Sequence, residues 1–100
     1  MNGRDAPLMK KKTYANGQNV FEIVDNVLTY FFKTGVVKAK GTYANEQMDG
    51  EWIFYRETGQ LWQIGNFKKG EKHGIWKRFD RNDQLEYEQE FIDGKPVRKR

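Results

Sequence analysis

Self-similarity at a fixed spacing is the feature that most restricts what this chain can fold into. Residues 50–73 (GEWIFYRETGQLWQIGNFKKGEKH) and 74–97 (GIWKRFDRNDQLEYEQEFIDGKPV) align without a gap over 24 positions. They share Gly50/Gly74, Trp52/Trp76, Gln60/Gln84, Leu61/Leu85, Phe67/Phe91 and Gly70/Gly94. Residues 26–49 form a more divergent copy that keeps Thr34-Gly35, Gly41 and the aromatic Tyr43. Residues 1–25 hold a partial unit, since TYANG (13–17) echoes TYANE (42–46). So short a period means one supersecondary unit per repeat, which buries its apolar side only by stacking on its neighbours. The chain therefore reads as a single repeat domain over 1–100, closed by a basic tail at 97–100.

Each unit reads as a β-hairpin. An alternating aromatic run such as WIFYR supplies the first strand, ETG the turn, and QLWQIGNF the second strand. A two-residue loop would force Thr58 into a left-handed conformation, whereas a three-residue loop puts Gly59 there and makes a type I turn with a glycine bulge. Asp83 takes the equivalent place in the last unit, and aspartate tolerates it better than most residues. The expected fold is all-β: a meander of tandem hairpins with seven or eight strands and no substantial helix. NG at 16–17 and DN at 25–26 are further expected turns. Residues 1–7 and 97–100 are expected to be mobile.

This loop pairs Tyr55 with Leu61. Regular alternation from there places Phe31, Tyr55 and Phe79 with Val37, Leu61 and Leu85 on one face, joined by Tyr43, Phe67 and Phe91. That trio in every unit is the expected core. The opposite face carries Leu28, Tyr30, Lys38 and Lys40, then Trp52, Phe54, Trp62 and Ile64, then Trp76, Arg78, Glu86 and Glu88. Arg78 is expected opposite Glu86. An aromatic cluster flanked by lysines on one side and glutamates on the other has two readings. It is a second layer of core covered by residues 19–24, by the N-terminal arm or by a twin subunit. Alternatively it is a partner-binding patch made of Tyr30, Trp52, Phe54, Trp62, Ile64 and Trp76.

With these residues in hand, the chain resembles the MORN-repeat family. The likeness is to the bacterial variant with the pattern G-x-x-x-G-x-W-x-x-Y-x-x-x-G-x-L, then an aromatic and N/D-G-K. GEKHGIWKRF, QEFIDGK, GEWIFYRETGQL and NFKKGEKHG carry it, and it spans roughly residues 27–95. Unit 26–49 departs from it, with Asn26 for the glycine, Leu28 for the tryptophan and Glu46 for the turn glycine. The resemblance implies a binding scaffold, with roles at membranes, in protein docking and in oligomerisation. Bacterial proteins of this type are described as antitoxin-like.

Composition narrows the chemistry. With no cysteine there is no disulfide, thiolate nucleophile or cysteine-ligated zinc. The net charge of +4 is spread evenly, each of 1–25, 26–49, 50–73 and 74–100 carrying +1, so no basic stripe marks a nucleic-acid partner. No apolar run suggests a signal peptide or a membrane span, and a cytoplasmic setting is the expectation. The lone His73 closes a unit at the position of Asp49 and Val97, and reads as part of the turn pattern rather than a base or metal ligand. The glycines include no G-x-x-x-x-G-K-[ST] phosphate loop; Gly50, Gly65, Gly70 and Gly74 read as turn and bulge positions, or as places where an aromatic ring lies across bare backbone. Glu86, Glu88 and Glu90 follow one another on one strand face, as a solvated side does and the facing carboxylates of a glycosidase do not.

The sequence thus assigns no catalytic residue, cofactor or metal. Its first functional reading is a non-enzymatic module that binds a protein partner or a second copy of itself, in an antitoxin-like role. The alternative is a peripheral membrane adaptor, with Lys38, Lys40 and the basic tail on anionic headgroups.

Overall fold

The computed structural model describes residues 12–98. Eight strands form one antiparallel sheet in sequential order, and no helix occurs among the described residues. The strands are β1 (Phe21–Val24), β2 (Val27–Phe31), β3 (Val37–Ala44), β4 (Gln47–Tyr55), β5 (Leu61–Lys68), β6 (Glu71–Phe79), β7 (Leu85–Ile92) and β8 (Lys95–Pro96).

Two turn types alternate along the meander. At one end of the strands, two-residue turns at Asp25–Asn26, Asn45–Glu46, Lys69–Gly70 and Asp93–Gly94 have both central residues at positive φ, the geometry that matches strand twist. At the other end, three-residue loops are closed by Phe32–Val36, Arg56–Gln60 and Asp80–Gln84. Gly59 (φ 94°) and Asp83 (φ 63°) hold the left-handed position as the sequence predicts. Asp25–Asn26 is the turn expected there. Asn16–Gly17 instead belongs to a three-residue loop closed by Tyr14 and Gln18, with only Gly17 left-handed.

Alternation breaks next to each long loop, and again between β3 and β4 at Gly41/Thr42 and between β5 and β6 at Ile64/Asn66. Tyr55 pairs with Leu61 as expected, but Phe54 pairs with Gln63, leaving Trp62 as an extra residue. Lys38 and Glu86 are the extra residues of the flanking hairpins. A β-bulge of this kind shifts register by one, and a one-residue shift moves every following side chain to the other face. The expected trio therefore splits. Phe67 and Phe91 meet the tryptophans edge-on, Phe67 against Trp52 at 6.1 Å and Trp76 at 5.1 Å, and Phe91 against Trp76 at 6.4 Å. Tyr55–Leu61 and its equivalents lie on the other face, and Ile64 follows them there, paired with Ile53.

The core is thus the tryptophan face, not the Tyr55–Leu61 face. Trp52 is fully buried and Trp76 is 2% exposed. Each indole lies across a backbone stretch with no side chain, Trp52 over Gly41 and Trp76 over Gly65. Its Nε1–H donates to the adjoining carbonyl, Thr42 O or Asn66 O, each at 2.9 Å. Leu28 and Ala39 complete the buried cluster, with Phe21, Tyr30, Tyr43, Met48, Phe54 and Phe67 packed against it. Ring contacts run unbroken from Phe21 through Tyr30, Trp52, Phe54 and Trp76 to Phe91. Such pairs add about 0.5–1.5 kcal/mol each beyond the area they bury. Burial pushes the Tyr30 phenol up to about 12, and neighbouring Tyr43 adds to the rise.

In the last unit no later tryptophan serves the equivalent carbonyl, Glu90 O. Gln89, at the place of Gly65, donates from its own Nε2 to Glu90 O at 2.9 Å and to Val97 O at 3.0 Å. Val97 N also bonds Glu90 O, so Val97 is tied down rather than mobile. Residues 1–7, 99 and 100, also expected to be mobile, lie outside the described residues.

Other expectations change as well. His73 is not part of a turn: it sits in β6 opposite Asn66, half-buried, with its Nδ1 unpartnered. The three glutamates do not share a face, since Glu86 joins Arg78 on the core face. Arg78 stands opposite Tyr87 in register and reaches Glu86 diagonally, Nε to Oε2 at 3.3 Å. Residues 19–24 do not cover the sheet. Phe21–Val24 lie in it as its first strand, with Ile23 45% and Val24 57% exposed.

Candidate functional site: an aromatic pocket rimmed by cations

Bulge residues are the point where this fold reads out differences between repeats. An extra residue has no cross-strand partner, so the ladder asks little of its side chain. The three positions carry Lys38, Trp62 and Glu86. At the middle one, Trp62 stands beside Phe54 at the long-loop end, in an open pocket of about 480 Å³. Phe32 and Tyr55 extend its aromatic wall. Lys38, Arg56 and Arg81 rim it, with Glu57 the one carboxylate of the lining.

The loops that carry the rim are fixed to one another. Gln60 Nε2 donates to Arg81 O at 2.7 Å and to Asp83 Oδ1 at 2.9 Å, joining the second long loop to the third. Arg56 Nη2 donates to Phe79 O at 2.9 Å, while its buried Nε has no acceptor. Lys38 Nζ lies 5.7 Å from the Phe32 ring centroid. A half-buried guanidinium beside half-buried aromatic rings suits a ligand with an acceptor group and an apolar body.

The corresponding place in the last hairpin carries polar and charged side chains. There Arg78 replaces Phe54, Glu86 replaces Trp62 and Tyr87 replaces Gln63. Arg78 pairs with Glu86 and lies 4.5 Å over the Tyr87 ring, so a charged pair stacked on a ring stands at this place.

Of the six residues expected to form a patch, the structure brings Phe54 and Trp62 together at the pocket. Trp52 and Trp76 are core, Tyr30 packs against the core, and Ile64 faces away. Arg56 and Arg81 are the residues that sequence reasoning missed. They are unrelated in the repeat pattern, but a meander sets consecutive long loops side by side, so their charges could have been pooled.

This architecture, hairpins stacked through tryptophan-on-glycine contacts, defines a single-sheet repeat protein. The family model described as MORN repeat variant matches twice, at residues 48–69 and 72–93, which are the β4–β5 and β6–β7 hairpins. These two hairpins therefore match the MORN repeat variant, and repeats of this kind are generally interaction modules. Comparisons with curated proteins and with solved structures give no match.

Proposed function

We propose that this chain is a non-enzymatic protein-binding module whose contact site is the Phe54–Trp62 pocket. The observation that carries the reading is the contrast between two equivalent places: the last hairpin sets the charged pair Arg78–Glu86 there, while the middle one sets Phe54 and Trp62 at the wall of a cavity. Indole and phenyl surface at a concave site is what interface hot spots are made of. Trp52 and Trp76 contribute by holding the pocket's wall in place, and Tyr30 does the same from the first hairpin. An antitoxin-like role in the cytoplasm is one form of this reading, in which the captured segment belongs to a toxin. A flat membrane surface fits less well, because the long-loop end also presents Glu57, Asp80 and Asp83.

The test uses the precedent inside the fold. Trp62→Glu places at the middle bulge the residue the last bulge already has, so the circular dichroism spectrum and melting temperature should stay close to those of the parent. Peptides selected on the parent by random-peptide display should lose at least tenfold in affinity for the variant. Selected peptides that bind both proteins equally would move the site elsewhere.

A further inference from the structure

We infer that the pocket takes an acidic peptide segment, with one apolar side chain seated between Phe54 and Trp62 and flanking carboxylates on Lys38, Arg56 and Arg81. This rests on the binding reading above and adds the chemistry of the occupant.

Three features decide that chemistry. First, the rim carries three cations against the single carboxylate of Glu57, a surplus of two positive charges around one cavity. Along the chain as a whole, charge is spread evenly at +1 per unit. A local surplus beside apolar walls is worth more than the same charges spread in water, since the walls lower the local dielectric. Second, Arg56 is held in place by its bond to Phe79 O. A guanidinium fixed by one terminal nitrogen has lost much of its rotational freedom before a ligand arrives, so pairing with a carboxylate costs less ordering. Third, the aromatic walls and the cations are on different elements. Phe54 and Trp62 come from β4 and β5, whereas Lys38 lies on β3 and Arg81 in the loop before β7. The cations thus flank the aromatic pair on both sides across the sheet. A segment lying across the strands meets positive charge, then an apolar slot, then positive charge. The matching ligand pattern is acid–apolar–acid.

A lipid bilayer offers headgroup charge as a continuous plane. Here Asp80 and Asp83 stand on the same loop as Arg81 and would be pressed against that plane. A narrow segment can meet Arg81 without meeting either aspartate. The last hairpin supplies the closest analogue of the occupied state: the carboxylate of Glu86 lies against Arg78, which stacks on Tyr87, so carboxylate, cation and ring are already packed together at the equivalent place.

The experiment follows the Trp62 indole signal in a two-dimensional NMR spectrum of the full chain during titration. The probes are a synthetic peptide with one phenylalanine flanked by aspartate and glutamate, its asparagine/glutamine counterpart, and vesicles with and without anionic lipid. The acidic peptide should shift the Trp62 signal and leave Trp52 and Trp76 nearly unmoved. The amide counterpart should bind at least tenfold more weakly. Affinity should fall with added salt, and again in Arg56→Gln. The double variant Phe54→Arg/Trp62→Glu, which copies the last hairpin's charged pair, should show no response in its remaining indole signals or backbone amides. Equal binding of the two peptides would overturn the acidic requirement and leave the pocket reading standing. Binding of anionic vesicles without binding of the acidic peptide would overturn it in favour of lipid. Silence toward these probes, with display-selected neutral peptides still binding at Trp62, would also overturn it. If neither those nor the acidic peptide engage Trp62, both readings fall together.

Discussion

Gly65→Ala is expected to prevent folding at room temperature or to lower the melting temperature by tens of degrees, although the change adds a single methyl group. A Cβ on Gly65 would lie inside the Trp76 indole, in contact with its ring-fusion carbons. The indole cannot yield, because its Nε1–H is bonded to Asn66 O and its ring is wedged between Phe54, Phe67 and Phe91. Overpacking in a well-ordered core costs about 1–3 kcal/mol and more where nothing can move. This site belongs to the second group, so about 3 kcal/mol or more is expected. Gly59 supplies the contrast: a Cβ there meets nothing within 4 Å, so Gly59→Ala carries only the strain of its left-handed backbone. Thermal melts followed by circular dichroism check both. Equal melting temperatures for the two variants would mean that the indole does not lie on Gly65.

Trp52→Ala is the second large effect, of about 3–5 kcal/mol. The residue is fully buried, contacts Tyr30, Phe54 and Phe67, and supplies the hydrogen bond to Thr42 O. Truncation empties a space lined by rigid rings and leaves that carbonyl without its donor. A domain of this size has about 5–15 kcal/mol of stability in total, so one substitution removes a large part of it. The expected drop in melting temperature is on the order of 20 °C. Trp62→Ala, the same change ten residues later, should cost under about 1 kcal/mol, because Trp62 lies at an open pocket and holds no carbonyl. Denaturant melts of the pair give the comparison directly.

These two effects show what could be read before the structure. The period, the hairpins and the left-handed positions at Gly59 and Asp83 were legible because each depends on local backbone chemistry. Tyr55–Leu61 pairing was legible for the same reason. The faces were not, because the bulges at Lys38, Trp62 and Glu86 begin one residue beyond that pair and reverse all that follows. Nothing in the residue types announces these bulges: a lysine, a tryptophan and a glutamate have no shared preference. Gly41 and Gly65 did hold the answer. A glycine inside a strand marks a place where something lies close to the backbone, and each is 11 residues before a tryptophan. The sequence offers that reading for Gly65 as one of two alternatives; choosing it, and extending it to Gly41, would have put Trp52 and Trp76 in the core. The cationic rim was hidden for a different reason. Arg56 and Arg81 come together only through the stacking of neighbouring loops, a relation that the repeat pattern does not encode.

The account turns on one separation: two tryptophans hold the fold and the third stands at the binding pocket. Hydrogen exchange of the three indole N–H groups, followed in one NMR spectrum, tests it. Trp52 and Trp76 donate to Thr42 O and Asn66 O within the core, so their signals should persist long after transfer to heavy water. Trp62 has no such bond among the described residues, and its signal should vanish first. Two protected indoles and one fast one, assigned by Trp62→Phe, is the predicted result; protection of Trp62 together with rapid loss of Trp52 or Trp76 would contradict it.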